Sequence, residues 1–337
     1  MTTISHAFAQ DSWRINNRLQ VGSFHDNNVF ESVRNTESAF VSSAIFQTQG
    51  RRNLGEVRVN YSYSNGLQFY SEFQQEHKIT QIVSGDIVWS PAKNIQFTAN
   101  AGGTAKFFLN APFDFIQTYS ALNVSYFLPG GFSVSLHING NQLEYAETNQ
   151  FDFFNRNYGG SLQKRLSNKL LVEGGFSYSG ADFQRSAYYQ SAEGLFVEKP
   201  TRQSDQYNNA FFRVTFGRHY LLRLTSEYMD NSSNSIGYAF SGMRLSVVGA
   251  ARYKTKWLAR MAVIAQEKKY KEDITPVNLL EFDLERSETN SAVLDISYDF
   301  IANISMLIRY SYYKNETGLR GQFYSKNLIF IGSEYRF

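Results

Sequence analysis

Residues 56–73 read Glu-Val-Arg-Val-Asn-Tyr-Ser-Tyr-Ser-Asn-Gly-Leu-Gln-Phe-Tyr-Ser-Glu-Phe. Val57, Val59, Tyr61, Tyr63, Leu67 and Phe69 share one parity, while Glu56, Arg58, Asn60, Ser62, Ser64 and Gln68 share the other. A period of two sends successive side chains to opposite faces of an extended strand. Ser64-Asn65-Gly66 carries a local turn signal, but the phase runs through it unbroken. That favours one long strand with an apolar face and a polar face. Strands of soluble sheets average about five or six residues, whereas a tilted membrane strand needs ~9–11 in the hydrocarbon alone.

The same alternation recurs outward from this stretch. Phe212, Val214 and Phe216 oppose Arg213 and Thr215, and Tyr220, Leu222 and Leu224 oppose Arg223 and Thr225. Leu294, Ile296, Tyr298 and Phe300 oppose Asp295, Ser297 and Asp299, and Met306, Ile308, Tyr310 and Tyr312 oppose Arg309 and Ser311. Short turn signals separate such segments in pairs, at 91–94, 129–131, 167–169, 217–219, 254–256 and 301–303. Longer polar connections fall between them, at 185–205, 229–235, 272–289 and 315–322. Tight turns on one side and long loops on the other are the pattern of an up-and-down barrel in an outer membrane. The expected fold is therefore an all-β, transmembrane, antiparallel barrel of about sixteen strands. Its strands are expected at 13–24, 38–49, 54–73, 79–90, 95–108, 114–128, 132–146 and 152–166 in the first half. In the second half they are expected at 170–184, 206–216, 219–230, 236–253, 256–271, 290–300, 303–314 and 323–337. An even count returns both termini to one side. Two phase slips read as β-bulges: one at Ser241-Gly242, the other across Gly140, where Phe132, Val134, Leu136 and Ile138 give way to Leu143 and Tyr145.

Composition narrows the function. The 337 residues include no Cys, which excludes disulfide scaffolds, thiolate metal sites and thiol catalysis. A net charge of +3, from 33 Lys+Arg against 30 Asp+Glu, argues against a dedicated nucleic-acid binder. No run approaches the ~18 apolar residues of a membrane-spanning helix. Aromatics reach 16%, with 29 Phe and 22 Tyr. Trp13, Trp89, Trp257, Tyr126, Tyr178, Tyr220 and Tyr335 lie near strand ends, where a lipid interface favours them. At the N-terminus, His6-Ala7-Phe8-Ala9 before Gln10 has the small-x-small form of a signal-peptidase site, without the charged and apolar regions expected upstream. Residues 1–9 are read as the remnant of an export signal, or a flexible N-terminus, and 10–337 as a single barrel.

At the other end, Ile329, Ile331, Tyr335 and Phe337 alternate up to the terminus, with Ser333 interrupting the apolar series. They form the expected C-terminal assembly signal. Residues 23–32, Ser-Phe-His-Asp-Asn-Asn-Val-Phe-Glu-Ser, follow an alternating strand. This block resembles the Tyr-Asp-Asp-Asn-Val-Phe entry of the outer-membrane β-barrel porins associated with exopolysaccharide and capsule functions. His25 and Asn27 depart from that pattern; Asp26 and Asn28-Val29-Phe30 match it. The resemblance resumes over 56–100, through Gln68-Phe69-Tyr70-Ser71-Glu72 and Ser90-Pro91-Ala92-Lys93-Asn94. It implies a porin-type barrel and carries no catalytic residue. The barrel of surface lipoprotein assembly modulators has a similar opening.

The chain offers little chemistry. Its five His, at 6, 25, 77, 137 and 219, form no HxxxH or HExxH pair, and no Gly-rich phosphate loop opens a helix. His137 has inward parity and reads as a lumenal polar group rather than a general base. Scattered Asp residues read as a solvated wall rather than a Ca²⁺ site. No catalytic residue, metal or cofactor is expected. The inward face instead carries many arginines and acids, which a water-filled pore explains without specificity. A sharper reading places Arg213, Arg223, Arg260 and Arg309 at similar distances from the short turns. They would form a basic stripe on one wall, able to draw anionic solutes or acidic sugar chains. Two function classes follow: a porin-like channel, with export of exopolysaccharide as one use, or a non-conducting barrel plugged by 185–205 or 272–289 that serves surface-protein assembly. The expected location is the bacterial outer membrane with both termini periplasmic. The expected surroundings are outer-membrane lipids and lipopolysaccharide, and the expected partners are the barrel assembly machinery and a secretion or export complex.

Overall fold

A computed structural model describes residues 12–32, 35–272, 289–315 and 324–337. The first half of the chain forms β1 (Arg14–Asp26), β2 (Ala39–Leu54), β3 (Val57–Tyr70), β4 (Lys78–Ala92), β5 (Ile95–Phe108), β6 (Phe115–Leu128), β7 (Phe132–Tyr145) and β8 (Phe153–Arg165). The second half forms β9 (Leu170–Gln190), β10 (Phe196–Gly217), β11 (Tyr220–Ser233), β12 (Phe240–Tyr253), β13 (Trp257–Tyr270), β14 (Thr289–Ile301), β15 (Ile304–Asn315) and β16 (Ser325–Arg336). Each strand pairs antiparallel with its sequence neighbours, and β1 pairs with β16, closing the barrel. Closure leaves no edge strand in the barrel wall, which a membrane demands of a sheet. β1 starts and β16 ends at the side that carries the short turns. There Asn17 and Phe337 exchange backbone hydrogen bonds of 3.2 and 3.1 Å.

The stretch 56–73 behaves as its phase requires. β3 runs unbroken through Ser64-Asn65-Gly66, which pair with Gln47, Phe46 and Ile45 on one side and with Ile82, Gln81 and Thr80 on the other. The apolar parity points outward all round the barrel, leaving Leu122, Leu136, Leu162, Phe176, Phe212, Leu245, Ile308 and Ile331 exposed. Trp89, Tyr126, Tyr220, Trp257 and Tyr335 are also exposed and cluster at the short-turn end of their strands. Tyr178 sits well inside β9 instead. This is the apolar band with an aromatic girdle that a transmembrane barrel presents to lipid.

Three expectations need correction. The segment 185–205 is not an open loop: β9 and β10 continue as a hairpin to a turn at Ser191–Leu195, with register shifts between Glu198 and Ser204. That hairpin docks on the neighbouring β11–β12 connection. Tyr188 N–H donates to Ser235 Oγ at 3.0 Å and Ser204 N–H to Asn234 Oδ1 at 2.9 Å. Its polar composition reflects arms standing clear of the apolar band. The bulges expected at Ser241-Gly242 and across Gly140 are absent, because β12 and β7 hold their register throughout. The change of phase marks a layer of inward-facing apolar residues, Phe240 in β12 and Leu143 and Tyr145 in β7. Finally, β2 extends to Leu54 and turns tightly at Gly55, a turn the sequence reading had not singled out. The proposed signal remnant at 1–9 and most of the 272–289 and 315–322 connections lie outside the described residues.

Candidate functional site

The lumen has two unlike halves. Toward the short turns, inward side chains form an ionic wall that continues across the β1–β16 seam. Arg18 donates to Glu334 at 3.0 Å and to Gln47, and Arg336 donates to Glu334 at 2.9 Å and to Asp299 at 3.1 Å. Asp299 also accepts from Arg252 at 3.3 Å and from Ser305 Oγ at 2.6 Å. Asn60 donates to Asp86 at 2.6 Å, and further up the wall Arg244 pairs with Glu227 at 3.4 Å. The arginines of these pairs keep a quarter to a half of their side chains exposed, which limits each pair to about 1 kcal/mol. Their consequence is a wettable wall with a shaped field.

The four arginines singled out from the sequence are all on this inward face. Arg213 donates to Glu173 at 3.0 Å and to Thr225 Oγ1 at 3.3 Å. Thr225 is its register partner on β11, and Arg223 lies two residues nearer the turn, opposite Thr215. Arg260 and Arg309 are both register partners of Asp295, on its two flanking strands, and reach it at 3.2 and 2.5 Å. Arg223 is exposed and, among the described residues, has no acidic partner. His137 is inward too. Its Nε2 lies 3.2 Å from Asn157 Oδ1, and its ring covers Gly159, where a Cβ would come within 2.6 Å. Among the described residues no three His, Asp or Glu side chains are grouped to hold a metal.

Toward the long loops the inward face turns aromatic. At the seam, Phe24, Val41, Tyr70, Leu307 and Phe330 pack together. The tip of the Phe330 ring covers the paired Gly22 and Gly332, where a Cβ on either would approach it to 2.6 or 2.5 Å. The motif at 23–32 acquires a structural role in this cluster. Asn28, fully buried, donates to Ser32 O at 2.9 Å and to Ser325 O at 3.0 Å, and accepts from Ser32 N–H at 2.9 Å. Lys326 clamps the same turn, 3.0 Å from Asp26 and 3.6 Å from Glu31. Val29 is thereby held inside the barrel against the apolar cluster. On the opposite wall Leu143, Phe153, Ala181 and Phe183 form a second cluster, with Phe115 and Tyr145 against it. Cations interleave with these rings: Lys78 lies 5.4 Å from Phe108, Lys106 lies 4.9 Å from Phe108 and 5.5 Å from Phe115, and Lys268 lies 4.5 Å from Phe240.

Reading the sequence by parity alone missed this inward aromatic layer. Its signal is the doubled apolar residue near a strand end, as in Phe69-Tyr70, Phe107-Phe108 and Phe153-Phe154. There one ring serves lipid and its neighbour serves the lumen. The C-terminal residues Ile329, Ile331, Tyr335 and Phe337 are all exposed on the outer face, Tyr335 and Phe337 stacked at 5.4 Å.

No family model matches the chain, and no curated protein matches it. Among solved structures it is similar to OpdQ of Pseudomonas aeruginosa (9% identity, 96% of this chain and 97% of that one, TM-score 0.49). It is also similar to a BenF-like porin from Pseudomonas fluorescens (8% identity, 97% and 98%, TM-score 0.49). A bacterial polysaccharide outer membrane secretin is similar at 8% identity, over 95% and 98% of the two chains, with a TM-score of 0.46. At these levels the likenesses do not bear on what passes through the barrel. The closed barrel with its lipid-facing band is defined by this chain's own strands.

Proposed function

We propose that the chain forms a water-filled channel in a bacterial outer membrane that favours anionic solutes and admits acidic sugar chains. The observation that carries this reading is the ionic wall. A barrel of sixteen strands is wide enough to leave an aqueous passage, and its short-turn half is lined by ion pairs and amides rather than by apolar packing. Arg213, Arg223, Arg260 and Arg309 supply the anion preference, moderated by Glu173 and Asp295. Both termini are periplasmic in this reading. The exposed C-terminal series Ile329, Ile331, Tyr335 and Phe337 serves the barrel assembly machinery, lipids and lipopolysaccharide surround the band, and a secretion or export complex meets one mouth.

Reversal potentials across a KCl gradient test the proposal. The native barrel should prefer anions, and a variant with all four arginines changed to Gln should lose that preference. Cation preference in the native barrel would remove it. A second reading, a non-conducting barrel serving surface-protein assembly, is favoured by the inward-folded turn at Asn28-Val29, which fills part of the lumen. Absence of any conductance in planar bilayers would select that reading. For orientation, proteolysis of intact cells should cut the β9–β10 hairpin at Lys199 or Arg202 and spare Lys93 and Lys256.

A further inference from the structure

We propose that the long-loop mouth contains a binding site for carboxylate-bearing sugar chains, built on the inward face of β4–β7 from Lys78, Phe108, Lys106, Phe115 and Tyr145. It builds on the channel reading in assuming a lumen open to solutes. The five residues are linked strand to strand: Lys78 is the register partner of Phe108, Lys106 of Phe115, and Phe115 of Tyr145. Lys78 stands 5.4 Å from the Phe108 ring, Lys106 stands 4.9 and 5.5 Å from the rings of Phe108 and Phe115, and Phe115 lies 5.6 Å from Tyr145. All five have inward parity and are half-buried, the Lys78 side chain keeping 15% exposure.

The chemistry follows from that alternation. An aromatic ring has a negative face and a positive edge, and the C–H face of a pyranose packs on such a surface without needing a dedicated hydrogen bond. An ammonium beside it offers charge-assisted hydrogen bonds to a carboxylate. Rings and cations in turn therefore match a polymer that presents sugar faces and carboxylates in turn. Extent favours a chain over a small acid. The arc crosses three inter-strand gaps of ~4.8 Å, about 14 Å in all, with no closed pocket at any one ring. Two acids lie near the site: Glu76 is 3.9 Å from Lys78, and Asp114 Oδ1 accepts from Phe108 N–H at 2.6 Å.

Calorimetric titration of the full-length barrel in detergent, at low salt, tests this with an oligogalacturonate as the acidic sugar, maltohexaose as the neutral one and benzoate as a small aromatic acid. The oligogalacturonate should bind, with the other two at least about tenfold weaker. The double variant Lys78→Gln/Lys106→Gln and the double variant Phe108→Leu/Phe115→Leu should each weaken it about tenfold or more, while Lys93→Gln, in the short turn between β4 and β5, leaves it nearly unchanged. Heat-dependent gel migration reports whether each barrel is folded, and Lys106→Gln alone serves where a double variant is not. Equal binding of maltohexaose, tighter binding of benzoate, indifference to both variants, or no binding at all overturns the site. A barrel that conducts but does not bind loses the site and keeps the channel; one that binds but does not conduct loses the channel and keeps the site.

Discussion

The two halves of the lumen obey the same two-residue period and end in different chemistry. Near the short turns, inward positions of β14–β16 hold Asp295, Asp299, Arg309, Glu334 and Arg336, tied by ion pairs of 2.5 to 3.1 Å. Toward the other mouth, inward positions of β1–β3 hold Phe24, Val41 and Tyr70, packed on Val29 and Phe330. Parity decides which side of the wall a residue serves. Height along the strand decides whether the inner side is wet. Charges near the short turns keep their mutual distances and contribute little to stability, while rings nearer the long loops form a packed core inside the barrel. This lumen combines a wettable ionic wall with a small hydrophobic core.

The sharpest way to break the comparison is to cut a ring from that core. Phe330→Ala removes a buried side chain lying over Gly22 and Gly332 and should cost about 3–5 kcal/mol, read as a lowered urea midpoint in lipid vesicles. Arg213→Gln in the ionic half should cost no more than about 1 kcal/mol. Equal costs would mean that the aromatic half is no more packed than the rest.

Next in size is the contrast across the wall. Leu222 faces outward and Arg223 inward on β11. Leu222→Arg should cost about 2–4 kcal/mol if it meets the bilayer midplane, whereas Arg223→Leu should be far milder under the same unfolding assay. Comparable damage from both would overturn the assignment of faces.

Much of this was legible beforehand, and the reasons differ by element. The strand at 57–70 announced itself because alternation outran a local turn signal. Arg213, Arg260 and Arg309 could be placed on the inner face by parity, but Asp295 as the shared partner of Arg260 and Arg309 could not be ranked, since only register puts it between them. Phe240 and Leu143 were misread as bulges because an inward apolar residue breaks the phase as a bulge does. Only unbroken hydrogen-bond register separates the two cases. The 23–32 motif was visible as a resemblance, yet its work is tertiary: Asn28 bonds to Ser325, at the far end of the chain.

That motif offers a smaller and more selective test. Asn28→Ala leaves two backbone carbonyls and the Ser32 N–H without their partner, a loss of about 1–3 kcal/mol for each such group left unsatisfied and buried; local opening to water reduces the sum. Because Val29 is held inside by this turn, single-channel current should rise or become noisier as the turn loosens. Unchanged current together with lowered stability would show that the turn braces the seam without narrowing the passage.

The smallest effect separates the arginines from one another. Arg223 has no acidic partner among the described residues, whereas Arg213 is held by Glu173, and Arg260 and Arg309 share Asp295. A charge already paired adds less to the lumen potential than one left open, so Arg223→Gln should move the reversal potential toward cations more than Arg213→Gln does. Asp295→Asn should move it the other way, because it releases two guanidiniums at once. All three shifts should shrink as salt rises, since the Debye length falls from ~10 Å at 0.1 M to ~3 Å at 1 M. Reversal potentials for the three variants at both salts check the order. If Arg213→Gln acts as strongly as Arg223→Gln, pairing does not govern the field, and each arginine counts by its position in the lumen alone.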